Sequence, residues 1–362
     1  MAVTILALAA AGCGTETPDK KRSGGLQADA TPVQPLPSDD ELRTMVDDVL
    51  AFTREERVLD LEQNAAWQIL HGVLAYGRDF QAERRGESVN VLDWIFGGGA
   101  MRGWTLAPGP VGLRAIEEPG GKEGQGHPDQ WIAVISQCGV PLSQAVRHAG
   151  RDWKLYDMVA QAMHETYEGK ECSWTLIALS RYLDPFDRTW AARDKQNWSL
   201  ERMIAMEAGP DDDAAGREHI STAACGGTHR LIGMQMALDK FDENFPSQEL
   251  TGGWARAQHR IDDAIAAAKA NQLPSGAFSI DYFERPANSA DISEHLAATG
   301  HTLEFLALAL DDEELAQPWV TRAAVYLCKL FQKTRQVDLE CGALYHAAHG
   351  LVLYRQRRFG EL

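Results

Sequence analysis

The sequence predicts an all-α fold, an α/α toroid of six inner and about six outer helices with a Gly/Trp-rich insertion. Three observations point there. Helix-like segments come in two kinds, the two kinds largely alternate, and six segments are apolar or small on nearly every side. An amphipathic helix buries one stripe, whereas a helix apolar all round must be covered on every side. An inner ring of six such helices wrapped by an outer ring meets both demands.

Residues 1–12 form an apolar run that ends in Ala10-Ala11-Gly12 and meets Cys13. Small residues directly before a cysteine resemble the lipobox of bacterial lipoproteins, in which Cys13 becomes the acylated first residue. The run carries no Lys or Arg and is short for a signal peptide, so a disordered N-terminus is the alternative. Residues 13–38 are rich in Pro, Gly and polar side chains, too poor in apolar surface to offset their ordering entropy, and read as a flexible tether. Lipid, tether and folded body together predict a lipid-anchored, extracytoplasmic protein of the cell envelope.

Residues 39–362 read as one toroid domain. Ser38 and Glu41 form a capping box that starts the first helix. Amphipathic segments span 39–56, 143–168, 197–208, 251–270 and 316–334; the last starts near Pro318 and carries Val320, Ala324, Leu327 and Phe331 on one stripe. The segments apolar on every side are 65–77, 129–139, 171–180, 224–238, 298–310 and 340–354. Residues 78–128 are too many for a structureless loop, so an outer helix is expected around 89–95 and a hairpin-like insertion after it. Gly97-Gly98-Gly99 lacks the following Lys and Ser/Thr of a phosphate-cradling loop.

With 52 acidic against 35 basic residues the formal net charge is −17. Such a surface repels nucleic acid and anionic membranes, and no basic stripe interrupts it. Contact with a membrane is expected through the lipid anchor only. Cys138, Cys172, Cys225, Cys328 and Cys341 lie in apolar helix-like contexts and read as small buried side chains, not as a disulfide framework.

The stretch 271–283, NQLPSGAFSIDYF, closes an amphipathic helix, turns at Pro274 and Gly276, and enters a short β-like run. Gln272, Gly276 and Phe278 at this corner resemble the repeat of the terpenoid-cyclase and protein-prenyltransferase α/α-toroid superfamily. The resemblance implies a fold, and the activity motifs do not carry over. Cyclases protonate with Asp-x-Asp-Asp, whereas Asp211-Asp212-Asp213 is a run in a polar loop. Prenyltransferases hold zinc with Asp-x-Cys and a later His, and Asp338-Leu339-Glu340-Cys341 has another spacing. Thioester toroids need Cys-x-x-Gln, and Cys225 is followed by Gly226-Gly227-Thr228.

In a toroid the inner helices run parallel and their N-termini meet at one mouth, where the helix dipoles favour a neutral or anionic ligand group. His127, Asp129, Glu171, Trp174 and His229 are the candidate ligand-binding residues there. His301, Glu304, Tyr345, His346 and His349 are the candidate catalytic ones. Glu304 interrupts an apolar run, so it meets a partner or faces a cavity, and His301 three residues earlier is its expected partner. Cys225 and His229 share a helix face and could share a metal, but zinc needs three or four ligands and no second close pair stands out. The expectation is therefore a thiol beside a hydrogen-bonded histidine, with no metal and no cofactor. Gly226, Gly227, Gly300, Gly342 and Gly350 would each cost ~1 kcal/mol inside a helix, which points to close helix packing or room for a ligand. Two functions stay open: a ligand-binding envelope lipoprotein whose partner is a small molecule or glycan, or an extracytoplasmic carbohydrate hydrolase or lyase.

Overall fold

The computed structural model describes residues 35–117, 126–183 and 189–360; the expected signal at 1–12, Cys13 and most of the tether at 13–38 lie outside them. Among the described residues the protein is mainly helical, 58% helix with 14 α-helices, and its sheets are all two-stranded. No described helix is long and apolar enough to cross a membrane.

α1 (Asp39–Glu55) opens on the expected capping box, with the Glu41 carboxylate accepting from the Ser38 amide at 2.8 Å. α2 (Ala66–Tyr76) follows, buried over most of its length. The 78–128 stretch contains the hairpin β1 (Gln81–Arg84) and β2 (Glu87–Asn90), the short α3 (Val91–Phe96), and a second hairpin, β3 (Trp104–Pro108) with β4 (Leu113–Glu117). Helix and hairpin thus lie near where the sequence places them.

After α4 (Gln130–Gln137), the amphipathic 143–168 segment departs from expectation. Its first half is the hairpin β5 (Ala145–His148) and β6 (Arg151–Lys154), and only its second half is helix, α5 (Leu155–His164). Ala149 and Gly150 between the strands both have positive φ, 50° and 76°, as a tight two-residue hairpin turn requires. Next come α6 (Ser173–Tyr182), the small pair β7 (Trp190–Ala191) and β8 (Asn197–Trp198), and α7 (Leu200–Ala208). A hairpin running straight into a helix therefore recurs three times: β1–β2–α3, β5–β6–α5 and β7–β8–α7.

α8 (Asp213–Ser221) is capped by Asp212, so the Asp211-Asp212-Asp213 run serves a helix start. α9 (Thr228–Asn244), α10 (Gly252–Ala270), α11 (Ile292–Ala309), α12 (Asp312–Leu315), α13 (Pro318–Lys333) and α14 (Cys341–Phe359) complete the chain. The expected 298–310 helix begins a turn and a half earlier, because Asp291 caps it by accepting from Ser293 N at 2.8 Å. The β-like run after Phe278 is turn, not strand. At that corner the Gln272 amide donates to Gly276 O at 2.9 Å and to Trp319 O at 2.8 Å, tying the end of α10 to the start of α13. Phe278 is buried against the Trp319 ring.

The six buried helices contact one another in a cyclic order: α2 with α4, α4 with α6, α6 with α9, α9 with α11, α11 with α14, and α14 with α2. α1, α5, α7, α10 and α13 each pack against one or more of these six. The α11–α14 contact is the most extensive of these. A Cβ on Gly300 would stand 2.6 Å from Ala347 Cα, and one on Gly350 would stand 2.9 Å from Glu304 N. Close packing is thus the reason for both glycines. Helix propensity alone would make Gly300→Ala stabilising by ~1 kcal/mol. The clash with the α14 backbone reverses the sign, and denaturant unfolding of Gly300→Ala should show a loss of about 1–3 kcal/mol.

Candidate functional site

α9 starts from an unusual backbone. Cys225, Gly226 and Gly227 adopt φ of 52°, 61° and 81° in succession, a left-handed run that costs a Cys more than a Gly. Gly226 has a second reason to lack a side chain, since a Cβ there would lie 2.3 Å from the Tyr282 ring. Thr228 Oγ1 donates to Cys225 O at 2.9 Å and fixes the turn. The turn brings the Cys225 sulfur to His229, in the first turn of α9, and to His301 on α11; ligand atoms of all three lie within 4.8 Å of one another.

Each buried helix, or the residue shortly before it, adds one ring to the same centre: His71 from α2, His127 ahead of α4, Trp174 from α6, His229 from α9, His301 from α11 and His346 from α14. Ring centroids are 3.9 Å apart for His301 and His346, 4.5 Å for Trp174 and His229, and 4.9 Å for His71 and His346. His229 stands 5.2 Å from His301 and 5.1 Å from His346.

Most of these imidazoles are held through Nδ1. His301 donates to Ala297 O at 2.7 Å and His71 to Trp67 O at 2.6 Å. His346 and His349 each donate to one oxygen of Glu304 at 2.7 Å. A carbonyl or an ionised carboxylate only accepts, so each of these Nδ1 atoms carries a proton. The expected His301–Glu304 pair is corrected here: His301 turns back to its own helix, and Glu304 orients the two histidines of α14 instead. His229 differs again. Both its ring nitrogens, and Nε2 of His301, are buried without a hydrogen-bond partner. The hydrogen-bonded histidine expected beside Cys225 is therefore not what the protein contains.

Burial sets the charges. It holds His71 and His229 below the ordinary imidazole range and, with His301 alongside, drops His346 to about 3. Burial alone would raise Glu304, but its bonds to His346 and His349 hold it well below the usual carboxylate range. Burial opposes a charge on His301 as well, but Cys225 and Glu304 beside it raise that imidazole to about 9, so the centre sets a buried carboxylate among imidazoles shifted in opposite directions.

The remaining candidates sort by position. His127 is half-buried, and its Nδ1 lies 2.9 Å from Glu171, whose carboxyl this bond lowers. The His127 ring is 6.1 Å from that of His229, and it also lines a cavity of about 170 Å³ with Trp104, Arg114 and Trp131. Asp129 is occupied elsewhere: it takes Lys170 Nζ at 2.7 Å and Thr175 Oγ1 at 2.5 Å, a structural role in place of ligand binding. Tyr345 donates to Arg57 O at 3.2 Å and packs against Tyr76 and Phe80, away from the imidazoles. With Cys341 it lines a separate cleft of about 790 Å³ beside Trp67 and Arg335. His71 and Tyr282 escape sequence reasoning; the available signal for His71 is a lone imidazole inside an otherwise apolar helix. All five described cysteines are free thiols.

The chain matches no protein-family model, no curated protein and no solved structure.

Lys170 and Asp129 allow a stability test. Burial opposes the Lys170 charge, yet Asp129 raises its pKa above the ordinary 10.5. The pair's contribution is therefore complete below that ordinary value and is lost as pH rises through the raised one. Lys170→Met leaves Asp129 buried without its cation and should destabilise by about 3–5 kcal/mol at neutral pH in urea unfolding, with partial recovery when Asp129→Asn is added.

Proposed function

We propose that the six buried helices close an α/α toroid and that its open end binds a polar small molecule, glycans among the candidates, on which His127 acts as general acid or base. The cyclic neighbour order supports the toroid, and the Gln272 corner is what the superfamily resemblance implies for it. The observation that carries the activity is the His127–Glu171 pair, half-buried beside a fully buried imidazole centre. A carboxylate on Nδ1 fixes the tautomer and leaves Nε2 to exchange a proton, the arrangement general acid–base chemistry uses. A passive scaffold has no need of such a pair. Hydrolysis or elimination is therefore favoured over binding alone. Nearby helix starts at α4, α6 and α9 favour an anionic or neutral polar group on the ligand. In this reading Cys13 carries the lipid and the domain works in the cell envelope.

Melting temperatures against a panel of glycans and anionic polar compounds test the site. A compound at 100 times its dissociation constant stabilises by about 2.7 kcal/mol, a shift of several degrees. The expected outcome is a shift with at least one compound that His127→Ala abolishes, and for a turned-over compound a loss of 10²–10⁴-fold in kcat. A flat response across the panel would send the search to protein partners. Separately, metabolic labelling with a radioactive fatty acid should mark the full chain and fail on Cys13→Ala; unlabelled wild-type protein would remove the envelope reading.

A further inference from the structure

We propose that Cys225, His229 and His301 form a binding site for one divalent transition-metal ion, zinc by the chemistry of its donors. The proposal stands on the geometry at the centre and does not depend on the identity of the ligand at the mouth.

Spacing comes first. Zinc–sulfur bonds of about 2.3 Å and zinc–nitrogen bonds of about 2.0–2.1 Å put tetrahedral donors roughly 3.3–3.6 Å apart. The three donor atoms already lie within 4.8 Å of one another, so small side-chain rotations close the set. The second observation is independent of spacing. His229 is only 6% exposed and both its ring nitrogens lack a partner, as does Nε2 of His301, which is 3% exposed. Buried nitrogens left unbonded are costly, and an ion satisfies one on each ring at once.

His301 has the support that metal-bound histidines use. Its Nδ1 is tied to Ala297 O at 2.7 Å, which fixes the ring and leaves Nε2 to coordinate. Cys225 is held in a left-handed conformation by a turn in which Gly226 fits under Tyr282, so the surroundings impose the position of its sulfur. One thiolate and two imidazoles suit zinc and related ions and do not suit magnesium or calcium, which take oxygen donors. Three protein donors leave a fourth position for water or substrate, as in catalytic zinc sites.

The test uses the full chain purified without chelator. Elemental analysis should find one zinc per chain, and replacement by cobalt should produce a thiolate-to-cobalt charge-transfer band in the near ultraviolet. Cys225→Ser should abolish that band, and His301→Ala should weaken zinc by more than the ~10–100-fold that outer partners are worth. Cys341→Ser, at the separate cleft, should leave metal content and band unchanged, and circular dichroism checks that each variant is folded. The cobalt band is read on the unmodified chain, so it stands even if a variant does not fold. Metal-free wild-type protein that binds no added zinc, or a charge-transfer band that survives Cys225→Ser in a folded variant, would overturn the proposal. Metal content requires no substrate, so a negative ligand panel and a negative metal assay are distinguishable failures.

Discussion

The contact between α11 and α14 is the constraint on which the centre depends. Gly300 faces the Ala347 backbone and Gly350 faces that of Glu304, so the helices approach as closely as two backbones without intervening side chains can. That approach lets one carboxylate on α11 reach Nδ1 of both His346 and His349 on α14. It also stacks His301 on His346 at 3.9 Å. A larger residue at either glycine would part the helices and break these bonds together. The small residues that allow packing are the same ones that set the chemistry.

Burying such a group is expensive. An ionised carboxylate in an apolar helix is tolerated only when its lone pairs are used, and here two imidazoles use them. The same logic applies to Asp129 with Lys170 and Thr175, and to Glu207, which accepts from Cys172 N, Ser173 Oγ and Arg230 Nε. Those two networks are complete and hold α6 in place. The central one is not: it satisfies Glu304 and leaves His229 without a partner. Buried ring nitrogens left unpaired on His229 and on His301 beside it call for a physical reason, which a bound ion would supply.

What could be read from sequence follows the range of the interaction that made it. Local signals were legible: the Ser38–Glu41 box, Pro318 at the start of α13, the Gln272 corner and the six buried helices all depend on residues a few positions apart. The split of 143–168 is not legible because the β5–β6 turn rests on two positive φ values, one of them at Ala149, a residue with no turn signature. Site residues show the same limit. His346 and His349 share a helix face and could be paired on spacing, but their partner Glu304 lies on another helix. Sequence spacing pairs His301 with the nearest carboxylate, whereas the carbonyl one turn back competes for Nδ1 and wins. The neighbourhood of Cys225 is equally non-local, because His301 comes from a different helix and the α9–α11 contact brings it in.

The two parts of the site differ in exposure, and that difference is itself an argument about function. His127 and Glu171 are half-buried at the helix starts, where a proton can exchange with solvent or with a bound molecule. His71, His229, His301, His346 and Glu304 are buried behind them. A purely structural core would favour apolar side chains over this set, since well-packed hydrophobic residues of like volume are commonly as stable or more so. A polar cluster to which six buried helices each add a ring, next to a carboxylate-backed imidazole, is what the proposed binding role accounts for. The unsatisfied nitrogens of His229 lie between the two parts, 6.1 Å in ring separation from His127 and 5.1 Å from His346, so an occupant there would join the exposed pair to the buried network.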